Sequence, residues 1–532
     1  MNFSLMPTEI ELKYLIVNDN VVEKVTKLLK SQQLDFVQSQ ANLANCYYDS
    51  ADLILRQHDI GLRVRSSEKL LEQTIKTSGK VIAGLHQRPE YNVELTQATP
   101  NLSLFPDEVW SSIPHFSAQT MAQIQGQLIT LFATDFERVT WLITNENGSK
   151  IELVFDLGCI TVEGASESIC ELELELVDGK TQDLFALAKL LADHFLIRPG
   201  IKSKAARGYK LFAQQTVVIQ KESANEDENN KSNVKELPVI TPLELIPLKH
   251  SFSIEQSFSS GVEFSLNQLQ KMIDAYCAQP SLKVLIKITE LLALIRHGFW
   301  LFQDYLPENV QVIRSDLSKL IKELSWVENA TYFQELTDKT GNYRKKLAYS
   351  EQLISQLKVE KSRFPDPDSV IALFYSARFN AMQLALLDLL LTLNHQQTAN
   401  AEQHNNDLYV FAQDKLEASL TVLMNNLMQH KKLTLPEYLS QQKLLIRSLL
   451  SGSWCGSLYT KSERLAFRNP WLDVKQGMDE LHTLLTLQQQ LTSISGEQFE
   501  KIHHWLDSKV DSLLLALDCS RKNAMSMTPY WR

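Results

Sequence analysis

The chain has 532 residues, of which 44% are hydrophobic and 22% charged. That composition excludes a wholly disordered chain, and the length supplies two to four domains at roughly 100–200 residues each. With 53 Lys/Arg against 63 Asp/Glu the net charge is −10, which argues against a general nucleic-acid binder, because phosphate affinity needs clustered positive charge.

Along the chain, the start MNFSLMPTEIELKY places Glu9 ahead of any apolar run, unlike a secretory signal. Apolar runs such as LLALI at 291–295 are far shorter than a membrane span. Cys46, Cys159, Cys170, Cys277, Cys455 and Cys519 are scattered with no CxxC pair, the pattern of reduced structural thiols. The expected compartment is the cytoplasm, with neither membrane nor nucleic acid as partner.

Side chains in a strand alternate between two faces. TEIELKYLI puts Glu9, Glu11 and Lys13 on one face and Ile10, Leu12 and Tyr14 on the other. After a helical pattern at 20–31, GLRVR aligns Arg63 with Arg65, EQTIK aligns Glu72, Thr74 and Lys76, and QRPEYNVEL aligns Arg88, Glu90, Asn92 and Glu94. FERVTW adds Arg138, KIELVFD aligns Glu152 with Asp156, and ICELELEL aligns Glu171, Glu173 and Glu175. A second helical pattern follows at 181–196. DGKT at 178–181 imitates the end of a P-loop, but Leu174 stands where its first glycine belongs, so it is a strand-to-helix turn capped by Thr181.

Residues 219–237 are almost wholly polar and are expected to be a linker between a domain at 1–218 and another at 238–532. Residues 241–532 hold 30 Lys/Arg and 31 Asp/Glu, the first 240 residues 23 and 32, so most of the excess negative charge is N-terminal. Helical length and apolar periodicity recur near 260–278, 282–305, 309–326, 368–395, 408–430, 434–450, 471–492 and 497–519, which predicts helical bundles. His297, His503 and His504 lie in these patterns as ordinary helix histidines, 395–407 is a polar loop, and 344–346 is a short basic run.

At least six N-terminal segments carry charge of both signs on one face and apolar residues on the other. A single such strand is a sheet with a solvated face. Six of them suit a barrel with a charged interior and an apolar outside covered by the helices at 20–31 and 181–196. Three like-charged glutamates abreast repel unless water, a cation or basic groups face them. Carboxylates beside Lys and Arg suit a polyanion with a divalent cation, whereas bases of nucleic acid would need aromatic stacking surfaces, which those faces are expected to lack.

Glu9-Ile10-Glu11-Leu12-Lys13 resembles the ExExK signature of the CYTH superfamily, the triphosphate tunnel metalloenzymes. In order follow YYDSADLILRQHDIGLRVR (47–65), the Lys76 segment, HQRPEYNVEL (86–95), FERVTW (136–141), ICELELEL (169–176) and KSKAARGY (202–209), so the resemblance covers about residues 6–212. The C-terminal part resembles the helical CHAD domain, and the whole layout the bacterial CYTH–CHAD inorganic triphosphatases. The resemblance implies an α+β chain: an N-terminal eight-stranded antiparallel β tunnel with covering helices, then an all-α domain. It implies metal ligation by Glu9, Glu11, Asp156, Glu171, Glu173 and Glu175, with Mg²⁺ or Mn²⁺ as cofactor. It implies phosphate contacts from Lys13, Arg63, Arg65, Lys76, Arg88, Arg138, Lys204 and Arg207, and catalytic roles for Lys76, Lys204 and Glu173.

The expected reaction is hydrolysis of inorganic triphosphate by direct water attack, since no Ser/His/Asp or Cys/His constellation is visible. An organic triphosphate (thiamine triphosphate or ATP), as substrate of a hydrolase or cyclase, is the alternative within the superfamily. A non-catalytic polyphosphate-binding protein is the third reading, one that would not need so many carboxylates. Polyphosphate is also a candidate partner of the C-terminal domain through Arg296-His297, Arg378 and Arg447, although that domain's charge of −1 favours a structural or partner-docking role.

Overall fold

The computed structural model describes residues 8–17, 19–67, 71–111, 118–223, 245–347, 351–399, 407–427, 431–491 and 497–532. The chain divides into two compact units: residues 1–235 with 372–388, and residues 236–371 with 389–532.

Among the described residues the first unit is built on ten strands: β1 (Thr8–Ile16), β2 (Asp35–Asp49), β3 (Gly61–Ser66), β4 (Leu71–Lys76), β5 (Lys80–Ile82), β6 (Leu85–Glu94), β7 (Ile129–Thr144), β8 (Lys150–Val162), β9 (Ala165–Asp178) and β10 (Ile197–Pro199). Eight of them close a ring, β1-β9-β8-β7-β2-β3-β4-β6, because β1 pairs with β6 as well as with β9. All pairings are antiparallel, and short β5 and β10 hang on β6 and β1. The expected eight-stranded barrel is present, with its apolar faces outward.

Helices cover that outside. Val25 and Leu29 of the helix Val21–Ser31 are buried, and Thr26 of that helix accepts a hydrogen bond from the Trp141 indole at 3.0 Å. The helix Thr181–His194 buries Leu184, Leu187, Ala188 and Leu191. Its first residue is Thr181 and its N-cap Lys180, so Thr181 does not cap it as expected. A third cover, not expected, packs Leu102, Phe105, Val109, Trp110 and Ile124 over Leu55, Leu62 and Ile75.

One mouth of the barrel is plugged. The helix Lys204–Ser223 runs through the first residues assigned to the linker; residues 224–237 of that linker lie outside the described residues. Its Gly208 meets Phe132 so closely that a Cβ would fall 2.1 Å from the ring. Phe132 stacks on Tyr47 at 4.6 Å and meets Tyr209 edge-on at 5.3 Å, filling the interior at that end.

The second unit is helical. Its helices Ile254–Ala278, Leu282–Leu301, Gln311–Glu323, Leu408–Leu427, Leu435–Cys455, Lys461–Leu491 and Glu497–Ser526 match expected segments, while Trp326–Thr337 and Glu351–Lys361 were not foreseen. The helix Lys461–Leu491 runs through Pro470, where the sequence suggested a start, because Phe467 and Trp471 on either side are both buried. Residues 395–399 of the expected polar loop belong to the helix Ala377–Ala399, and 400–406 lie outside the described residues. Trp454 is fully buried against Gly261 and Gly298, where any side chain would strike its ring, and donates its indole N–H to the Leu294 carbonyl at 3.0 Å. Among the described residues no single helix is long and apolar enough to cross a membrane; Pro367–Phe374 and Ala377–Leu393 reach that length only as a pair bent by 43°. None of the six cysteines is joined in a disulfide.

Candidate active site

Barrel closure brings the charged faces together around a cavity of about 320 Å³. Of the expected site residues, Glu9, Glu11, Lys13, Arg63, Arg65, Lys76, Arg88, Arg138, Glu173, Glu175 and Lys204 line it. Asp156, Glu171 and Arg207 do not; they lie behind it, tied to the residues that do.

Strand register sorts the carboxylates into rungs. Glu11 lies opposite Glu175, and Glu175 opposite Glu152, so β1, β9 and β8 place three carboxylates side by side. One rung on, Lys13 lies opposite Glu173. The next places Glu171 opposite Asp156 and Asp156 opposite Arg138.

The last two rungs are internally neutralised. Lys204 Nζ lies 2.6 Å from Asp156, 2.5 Å from Glu171 and 2.9 Å from Glu173. Lys13 Nζ donates to Glu171 at 2.6 Å and to Glu173 at 3.2 Å. Arg138 grips Asp156 with two bonds of 2.7 Å and reaches Glu173 at 3.1 Å. Arg207 pairs with Glu167 at 2.6 Å and Glu171 at 3.2 Å. Burial opposes ionisation of Glu173, but Lys204, Lys13 and Arg138 outweigh it and hold its carboxyl well below the usual range. Burial alone would lower Lys204, yet its three carboxylates raise it above the ordinary lysine value. Asp156, Glu171 and Glu173 bring oxygens within 4.8 Å of one another, a spacing that suits a cation. Here two lysines and two arginines already supply the positive charge.

The Glu11 rung is under-compensated. Burial, then Glu173, pushes Glu11 up to about 8. Burial, then Glu9 and Glu152, pushes Glu175 up to about 7. Glu9 is raised by burial despite Lys76, whose Nζ lies 2.7 Å away. Oxygen donors abreast with surplus negative charge fit a hard divalent cation. By charge, Glu9, Glu11 and Glu175, with Glu152 beside them, are the carboxylates that a divalent cation would relieve, while Asp156, Glu171 and Glu173 have the closer-set oxygens.

The opposite wall is basic. Arg63 pairs with Glu90 at 3.2 Å, and Lys76 with Glu90 at 2.6 Å. Arg65 donates to Asn45 at 3.0 Å. Burial, then Arg63 and Arg138, lowers Arg65 to about 10. Burial, then Arg56, lowers Arg88. The Nε atoms of Arg63 and Arg88 are buried with no hydrogen-bond partner among the described residues. Crowded cations with unmet donors fit an anion rich in oxygen acceptors.

Sequence reasoning did not name Tyr47, Arg56, Asp59, His86, Glu90, Asn92, Phe136, Glu152 or Tyr209 as site residues, and all line the cavity. Glu90, Asn92 and Glu152 share the charged faces and were visible there. Phe136 shares the face of Arg138, so the expectation that the charged faces carry no aromatic surface was wrong. It underlies the cations, with Lys204 Nζ 5.1 Å and Arg138 Cζ 5.7 Å from the ring centre.

Residues 7–209 match the family profile of the CYTH domain. This stretch of the chain is therefore similar to CYTH domains. A curated relative, the inorganic triphosphatase of Haemophilus influenzae, is 37% identical over 217 residues, 40% of this chain and 57% of that protein. The present chain thus spans under two thirds of that relative. Among solved structures, a Hippeastrum protein described as having a dominant triphosphatase activity shares 17% identity over 39% of this chain and 96% of its own, with a TM-score of 0.28. The CHAD domain from the plant Ricinus communis shares 14% identity over 54% of this chain and 97% of its own, with a TM-score of 0.37. At those scores neither structure bears on function.

Proposed function

We propose that the CYTH-like domain hydrolyses inorganic triphosphate to diphosphate and phosphate by direct attack of water within the barrel. The observation that carries this reading is one lumen holding both the acidic rung Glu11–Glu175–Glu152 and the basic wall of Arg56, Arg63, Arg65 and Arg88. Glu9, Glu11 and Glu175 would hold Mg²⁺ or Mn²⁺, which when bound neutralises phosphate charge and polarises the bond under attack. Arg63, Arg65, Arg88 and Arg138 grip phosphate oxygens and fix the chain of phosphates along the lumen. Lys13, Lys76 and Lys204 stabilise the negative charge that grows on the leaving diphosphate. Lys204 keeps its proton through neutral pH, which suits charge stabilisation better than proton donation. Glu173, held ionised, orients Lys13, Lys204 and Arg138, while Asp156, Glu171 and Arg207 brace that group from behind.

An organic triphosphate is the second reading, supported by the aromatic surface of Tyr47, Phe136 and Tyr209 in the same cavity. The second unit is read as CHAD-like. There burial, then Arg447 and Arg314, lowers the Arg296 guanidinium, a concentration of positive charge that supports binding of polyphosphate. Arg378 falls in the first unit.

The test is phosphate release from inorganic triphosphate with Mg²⁺, Mn²⁺ or EDTA, beside ATP, thiamine triphosphate and long-chain polyphosphate. Metal-dependent release from triphosphate, absent with EDTA, is expected. Faster cleavage of an organic triphosphate would move the assignment to the second reading, and no release from any of them would refute the enzyme.

A further inference from the structure

Residues 372–388 belong to the same compact unit as the barrel although more than 170 residues separate them from its last strand. Two side chains of this segment engage β10. Asn380, 1% exposed, donates from Nδ2 to the Ile197 carbonyl at 2.7 Å and to Ser376 at 3.0 Å. Its Oδ1 is buried with no hydrogen-bond partner among the described residues. A buried amide with one unmet atom is costly, so the bonds its nitrogen makes are what it contributes. Arg198 Nε donates to the Tyr375 hydroxyl at 3.1 Å.

Among the described residues β10 pairs with β1 alone, and its other edge is where Asn380 takes the carbonyl. What β10 holds is chemically important. Tyr14, Leu15 and Ile16 pair with Pro199, Arg198 and Ile197. The next amide, Gly200 N–H, donates to the Lys13 carbonyl at 2.9 Å. Gly200 leaves room for the lysine stem, since a Cβ there would lie 3.2 Å from Lys13 Cγ. His86 Nε2 lies 3.2 Å from the Gly200 carbonyl. Four residues further on stands Lys204. Residues 197–204 thus seat both lysines that meet on Glu171 and Glu173.

We propose that residues 372–388 are a working part of the tunnel, with Asn380 and Tyr375 locking residues 197–200 and thereby positioning Lys13 and Lys204. Both are positioning residues, and the catalytic consequence rests on the triphosphatase reading above.

The experiment uses the full chain with Asn380→Leu, close in size but without the donor, and Tyr375→Phe, which loses only the hydroxyl. Amide hydrogen exchange is followed by mass spectrometry, beside triphosphate hydrolysis with Mg²⁺. In Asn380→Leu, exchange across 196–204 is expected to rise at least tenfold, while β2 and β7 across the barrel stay as protected as in wild type. kcat/KM is expected to fall at least tenfold. Tyr375→Phe should shift both in the same direction by a smaller factor, and decides the matter alone if Asn380→Leu does not fold. Unchanged exchange at 196–204 in a folded variant overturns the proposal. So does an increase spread equally over all strands, which would mean general destabilisation. If wild type hydrolyses no triphosphate, the functional reading fails while the exchange measurement still decides the positioning role.

Discussion

Glu11 is the residue on which the metal assignment turns. It sits opposite Glu175 and is pushed up to about 8, so part of the metal-free population carries it protonated at neutral pH. Glu11→Gln removes a charge without changing shape. Turnover should fall by about 10²–10³, the cost of a single electrostatic contact at a reacting centre. The thermal shift produced by Mg²⁺ should shrink with it, and a variant that keeps the wild-type shift would refute ligation by Glu11. A pH test follows from the same group. A carboxyl raised in the folded state stabilises fully below its unfolded value near 4.5, and that contribution is lost as pH rises through the folded value. For Glu11 and Glu175 the loss extends to about 8 and about 7. His86 and His297, held down to about 4 and about 3 by burial, act only below about 6.5. In EDTA, the melting temperature should therefore fall between pH 6.5 and 8.5, and added Mg²⁺ should raise it more at pH 8.5 than at 6.5. A metal-free melting temperature that rises over this range would contradict the surplus of negative charge. Period-two alternation made the charged faces legible at this scale. It left unread the register that sets Glu152 beside Glu175 and frees Glu173 from that rung, because register depends on partners distant in sequence.

At the scale of elements, seven of the eight barrel strands and the helices at 21–31 and 181–194 were legible from their periodicity, whereas β2 was not read as a strand. The helix Lys204–Ser223 was not legible either. Gly208 reads as a helix breaker until Phe132 is seen packed against it. That contact gives a test. Gly208→Ala places a methyl where Phe132 stands, an overpacking that typically costs about 1–3 kcal/mol. Because Lys204 opens the same helix, kcat/KM should fall along with stability. Gly208→Ala with Phe132→Leu should recover part of both, as measured by thermal melting and triphosphate hydrolysis. Wild-type stability in Gly208→Ala would mean that the helix does not seat against the barrel end. The helices Trp326–Thr337 and Glu351–Lys361 were illegible for a related reason: they are short, and their buried positions count only once the core around Leu484 and Leu487 is assembled.

At the scale of the molecule, the polar stretch after residue 219 divides the sequence in two, and the structure divides the chain differently. Composition marks where a chain cannot bury itself, and it carries no information about a later segment returning to an earlier unit. Residues 372–388 do return, through Asn380 and Tyr375. A chain ending at residue 223 keeps all ten strands and every lumen residue, yet lacks this segment. If the tunnel were autonomous, such a chain would hydrolyse triphosphate as the full chain does. Losing the Asn380 bond leaves the buried Ile197 carbonyl without that donor, at about 1–3 kcal/mol if nothing replaces it. The shortened chain should therefore fold with β10 less firmly held on β1, melt at a lower temperature and show kcat/KM at least tenfold below the full chain. Restoring Asp156, Glu171 and Glu173 to full occupancy by Lys13 and Lys204 needs the residue 197–200 segment in place, so raising the Mg²⁺ concentration should not rescue it. A shortened chain with full kcat/KM would make the tunnel self-sufficient and leave the downstream segment a packing role alone.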